Sequence, residues 1–112
     1  MDREQFMRDN CITEDDLVAA DISCEELMAI DETYRSMDSM LHDIGRDFIY
    51  EYLYDIKKAG IHSYRYRTKE PTHLVEKIVR KRKENREKFA HLDHTNFHKY
   101  MTDLIGIRVL FL

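Results

Sequence analysis

Aromatic and basic side chains alternate through Ile61-His62-Ser63-Tyr64-Arg65-Tyr66-Arg67-Thr68-Lys69, and a period of two is that of a β-strand. On such a strand Tyr64 and Tyr66 point to one face while Arg65, Arg67 and Lys69 line the other. Pro71 then opens a helix whose apolar arc is Leu74, Val75, Ile78 and Val79. Lys77 and Arg80, three apart, share its opposite face. Strand and helix therefore both hold cations away from their core sides. The formal net charge of −4 hides how concentrated those cations are. Residues 1–56 carry 16 acids against 4 Lys/Arg, residues 57–88 carry 12 Lys/Arg against 4 Glu, and the last 24 residues carry two of each sign. A basic block of this kind attracts a polyanion, because local field and not total charge draws phosphate. The alternative for Lys81, Arg82 and Lys83 is the solvated face of a helix.

Two other groups have chemical potential. His91, His94 and His98 stand three and four apart, a metal-ligand spacing on a helix, but with no Cys or Glu nearby to complete a set a polar loop is the preferred reading. Cys11 and Cys24 lie among acids without a CxxC or a paired His, so they signal neither zinc nor a disulfide and read as two thiols.

The elements that position these residues follow from local patterns. A chain of 112 residues with 43% apolar and 36% charged residues has room for one domain and a core, and is neither collagen-like nor low-complexity. Three Gly and one Pro are too few for an all-β sandwich, so helix dominates. Thr13–Asp16 and Ser23–Glu26 read as capping boxes that start two helices. From the second, Leu27, Ile30, Tyr34, Met37, Leu41, Ile44 and Phe48 form one stripe, which predicts a single long helix, and Gly45 within it and the break after three heptads favour packing within the domain over a coiled-coil seam. After Phe48 the stripe shifts to Ile49, Tyr52, Leu53 and Ile56, and Lys57-Lys58 before Gly60 marks a stop. Residues 84–101 read as helix end plus loop. The segment Thr102-Asp103-Leu104-Ile105-Gly106-Ile107-Arg108-Val109-Leu110-Phe111-Leu112 is apolar on both parities, as in a central strand. Such a strand needs two neighbours and one other is visible, which suggests an incomplete sheet: a fragment, a truncated frame or a chain completed by a partner. No run approaches a membrane span and the acidic start is unlike a secretory leader, so the expected location is the cytoplasm.

Arg67-Thr68-Lys69 followed by Lys77 and Arg80, and then the run Asp103-Leu104-Ile105-Gly106-Ile107-Arg108, resembles the first half of the RelA/SpoT synthetase domain over about residues 45 to 112. The resemblance implies an α/β (α+β) chain of nucleotidyltransferase type. An acidic N-terminal helical segment, 1–60, precedes the first part of a synthetase domain, 61–112, with long helices, at least two strands and a further helix. It implies GTP pyrophosphokinase chemistry, the transferase reaction of the stringent response, which moves pyrophosphate from ATP to the 3′-hydroxyl of GDP or GTP and makes (p)ppGpp. By motif position Arg67, Lys69, Lys77, Arg80 and Arg108 look like the ATP-binding cations. Asp103 looks like the catalytic carboxylate that holds magnesium, Mg2+ being the implied cofactor. Such a transfer rests on positioning and electrostatics, which these residue types supply. The family's acceptor-activating glutamate and guanine-stacking tyrosine have no counterpart in these residues, so binding without turnover is expected of them alone. Relatives that pyrophosphorylate adenine nucleotides or the tRNA 3′ end are an alternative, as is a non-catalytic interaction module that pairs with another copy of itself.

Asp103 and Arg108 are five apart and would face opposite sides of a regular strand. Sharing one nucleotide requires a bulge at Gly106 or an Asp103 that lies before the strand. Taken singly, Arg67 could pair with a surface Glu and Asp103 could cap a turn.

Overall fold

The computed structural model describes residues 2–53 and 61–111. In chain order the elements are α1 (Arg3–Asp9), α2 (Glu14–Ala20), α3 (Cys24–Ser36), α4 (Asp38–Phe48), a π-helical turn (Ile49–Leu53), β1 (Ile61–Thr68), α5 (Pro71–Glu84), α6 (Phe97–Tyr100) and β2 (Ile105–Phe111). This is an α+β chain, mostly helical, with one two-stranded antiparallel sheet among the described residues. It divides into two compact units, one ending at Arg35 and resuming over Glu70–Met101, the other comprising Ser36–Lys69 and Thr102–Leu112.

The first unit is helical and its helix starts follow from local chemistry. Asp2 accepts from Gln5 N at 2.8 Å and starts α1. Thr13 and Asp16 close a reciprocal capping box on α2. Ser23 Oγ accepts from Glu26 N at 3.0 Å at the start of α3, but the second half of that box is missing. The Glu26 carboxylate instead accepts from His94. Pro71 occupies the first turn of α5, and Leu74, Val75, Ile78 and Val79 are all buried, as the arc predicts. They share the core with Phe6, Leu27, Ile30 and Tyr34, whose ring meets Phe97 edge-on at 6.3 Å. Phe97 belongs to the segment 84–101, which is more than helix end plus loop. Phe89, Leu92, Phe97 and Met101 are buried and fasten its turns and α6 to the core.

In the second unit the expected long helix is corrected. Met37, at φ −86° and ψ −2°, separates α3 from α4. Leu27, Ile30 and Tyr34 keep their stripe, but the buried line of α4 is Leu41 and Gly45, continued by Ile49 at the start of the π-helical turn. Ile44 and Phe48, expected in the stripe, are 49% and 42% exposed. The cause is contact with β1: the Tyr66 ring lies against Gly45, where an added Cβ would stand 2.5 Å from Tyr66 Cδ2. A residue without a side chain makes no mark in a count of apolar positions, so the packed face of α4 is invisible to such a count. The π-helical turn accommodates one extra residue per turn and begins at Ile49, where the sequence stripe shifts. The proposed stop at Lys57, Lys58 and Gly60, and Ile56 before it, lie outside the described residues.

Ala is the better helix former by about 1 kcal/mol. Gly45→Ala is nevertheless expected to lower stability by about 1–2 kcal/mol, because the overpacked ring must shift. Urea unfolding of Gly45→Ala alone and combined with Tyr66→Ala checks this: the methyl should cost nothing once the ring is gone. A more stable single variant would show that the contact is not tight.

The strands pair with Arg65 opposite Arg108, Tyr66 opposite Ile107, Arg67 opposite Gly106 and Thr68 opposite Ile105. The one irregularity falls between Ile61 and Ser63, so Gly106 carries no bulge. Among the described residues β2 has β1 as its one neighbour. No described helix is long and apolar enough to cross a membrane.

Candidate functional site

Pairing continues one residue beyond β1, because Lys69 N donates to Leu104 O at 2.9 Å. Leu104 is buried and fixes the approach to β2. Together these place Lys69 beside Asp103, and Lys69 Nζ stands 3.0 Å from Asp103 Oδ2. Asp103 lies two residues before Ile105, outside the strand, so the second of the two expected geometries is the observed one. Arg67 is exposed on β1 opposite Gly106, and a Cβ built on Gly106 meets nothing within 4 Å. The strand end thus offers two cations and a carboxylate next to an open stretch of backbone.

The floor of this end is firm. Tyr66 is half-buried, its ring edge-on to His42 at 5.7 Å, with its hydroxyl 3.4 Å from His42 Nδ1. That anchoring of Tyr66 orients the next residue, Arg67, to the opposite side of the pleat. The side chains of Tyr64, Arg65 and Arg108 lie outside the described residues, and the backbone of Arg108 sits in β2 opposite Arg65. Lys77 and Arg80 belong to the helical unit, on α5, half-buried and exposed respectively. Arg80 Nε is 3.9 Å from Glu76 Oε1, and Arg80 lines a hollow of about 410 Å3 with Asp16, Glu76 and Lys83.

Asp103 fits a magnesium ligand in one respect: it is a carboxylate whose side chain is 47% exposed. Magnesium takes one or two carboxylates and completes its shell with water and phosphate oxygens. Among the described residues no group of three His, Cys, Asp or Glu could hold a metal alone. The three histidines have separate duties. His94 donates its backbone N–H to Glu26 at 2.7 Å and has Nδ1 2.8 Å from the same oxygen. His91 O accepts from Asn96 Nδ2, and His98 stacks edge-on to Phe97.

Sequence reasoning missed the role of Arg82. The run Lys81–Lys83 is not a uniformly solvated face, for Arg82 is 5% exposed. Its Nε donates to Ala20 O at 2.7 Å, its Nη1 to Phe89 O at 2.7 Å, and its Nη2 to Asp21 O. Ala20 and Asp21 end α2, where carbonyls lack helical partners and the helix dipole favours a cation. Arg86 adds a bond to Ala19 O at 2.7 Å, and Lys83 pairs with Asp16. Part of the basic block is therefore spent inside the fold.

Two of these contacts titrate. Glu26 accepts a hydrogen bond from the His94 ring and holds its pKa above the usual value near 6.5. The pair contributes stability that is fully present below about pH 6.5 and is lost as pH rises through the raised folded value. Hydrogen bonds from Lys83, then Thr13, pull Asp16 down to about 2 from 3.8. That contribution is present above pH 3.8 and fades as pH falls towards 2. Melting temperatures should show the gap between wild type and His94→Gln narrowing from pH 6 to pH 9, and a gap that widens would contradict the assignment.

Comparison with known protein families, curated proteins and solved structures found no match to this chain.

Proposed function

We propose that the chain holds the triphosphate of ATP, as the first part of a nucleotidyltransferase-like, RelA/SpoT-type pyrophosphokinase. The observation that carries this reading is the Lys69–Asp103 pair at 3.0 Å, set by the backbone bridge to Leu104 beside exposed Arg67. An ordinary surface ion pair needs no such bridge, and it adds little to stability. A cation and a carboxylate held side by side suit a phosphate chain carrying its own divalent ion. Lys69 and Arg67 would neutralise the phosphate oxygens, and a guanidinium can also stack on adenine. Asp103 would hold magnesium, which when bound screens the triphosphate charge. Arg108 is the further cation of the same unit by motif position.

Guanine nucleotide is the expected acceptor, and adenine nucleotides or a tRNA 3′ end are the alternatives. The intramolecular bonds of buried Arg82 and of exposed Lys83 and Arg86 weigh against a long RNA backbone lying along the basic block. Calorimetric titration of Mg-ATP tests the reading. Arg67→Ala should weaken binding about tenfold. Asp103→Asn should remove the dependence on magnesium while leaving residual ATP binding. Unchanged affinity in Arg67→Ala would set the assignment aside.

A further inference from the structure

The helical unit contains a second feature of binding character, independent of the nucleotide reading. Asp31, on α3, is 8% exposed, yet its Oδ1 is buried without a hydrogen-bond partner. Its other oxygen, Oδ2, accepts from Arg35 Nε at 3.0 Å. A buried carboxylate oxygen left unmatched is costly, the more so for a charged group. Asp31 lines a hollow of about 380 Å3 together with Phe6, Met28, Glu32 and Arg35. Phe6 supplies an apolar wall that is 1% exposed, and Met28 a flexible one. Two carboxylates face one guanidinium, so the lining keeps a negative charge.

We propose that this hollow is a binding site for an alkylammonium group, whose charged end satisfies Asp31 Oδ1 and whose carbon stem lies along Phe6 and Met28. The donor is an ammonium and not a guanidinium for a geometric reason. A guanidinium binds best as a fork to two carboxylate oxygens, and Arg35 already engages the second one. A compact ammonium needs a single oxygen. Glu32 lines the same hollow and adds to the attraction. Arg35 is the internal competitor, since it draws on the same carboxylate.

The test is an amide chemical-shift titration of the full chain with three probes: putrescine, Nα-acetyl-lysine methylamide and 1-butanol. Both amines should shift the amides of residues 28–35 and saturate, while butanol, with a similar stem and no charge, should not. Asp31→Asn keeps the shape and should weaken amine binding about tenfold. Arg35→Gln frees Oδ2 and should tighten it. Preference for the diamine assigns the site to free polyamines, and preference for the lysine derivative assigns it to a protein side chain. Should Asp31→Asn not fold, the butanol comparison and Arg35→Gln decide the matter. Binding of butanol as strong as that of the amines, affinity unchanged in Asp31→Asn or lowered in Arg35→Gln, or no shift with either amine at millimolar concentration would overturn the proposal.

Discussion

Replacing Arg82 by Met should cost roughly 4 kcal/mol, because two buried backbone carbonyls and a part-buried one lose a charged donor at once. The chain has about 5–15 kcal/mol to lose, so the variant should be close to unfolding at ordinary temperature. Met preserves most of the apolar stem, which separates the loss of hydrogen bonds from the loss of packing. Arg82→Lys should recover only part of the stability, since one ammonium cannot span the carbonyls of Ala20, Asp21 and Phe89. Lys83→Ala, which removes an exposed pair to Asp16, should cost less than about 1 kcal/mol. Urea midpoints of the three variants give the comparison. An Arg82→Met chain within about 1 kcal/mol of wild type would mean that water replaces the guanidinium at the end of α2.

Reversing a charge at the strand end should have the second largest effect. In Lys69→Glu a carboxylate stands beside Asp103, and a triphosphate then meets two like charges where it met one cation. Affinity for Mg-ATP should fall about a hundredfold, equivalent to about 2.7 kcal/mol. Stability should change little, because the pair is partly exposed: 20% for Lys69 and 47% for Asp103. Loss of binding with an unchanged urea midpoint separates a phosphate-holding role from a structural one. Equal ATP affinity in Lys69→Glu and wild type would leave the pair as a surface contact.

What the sequence made legible was local. Asp16 three residues after Thr13 fixes the start of α2 by the reach of a carboxylate, and Pro71 with its arc of Leu74, Val75, Ile78 and Val79 fixes α5. Both strands were readable from period and composition. Long-range choices were not. Arg82 reaches Ala20 and Asp21, 62 and 61 positions away, through carbonyls that every residue carries and no sequence pattern marks. Glu26 had a local partner in Ser23 and took His94 instead, 68 positions on. The rotation of the buried line of α4 follows from Tyr66 lying on Gly45, a contact made by the absence of a side chain. At the candidate site the residue types could be read, but the meeting of Lys69 with Asp103 depends on pairing between β1 and the segment before β2.

The most direct test of the nucleotide reading is an amide chemical-shift titration of the wild-type chain with ATP and magnesium. Shifts should concentrate at Arg67, Thr68, Lys69, Asp103 and Gly106 and should weaken when magnesium is withheld. An unperturbed strand end, with shifts absent or confined to the cations around the end of α2, would contradict it.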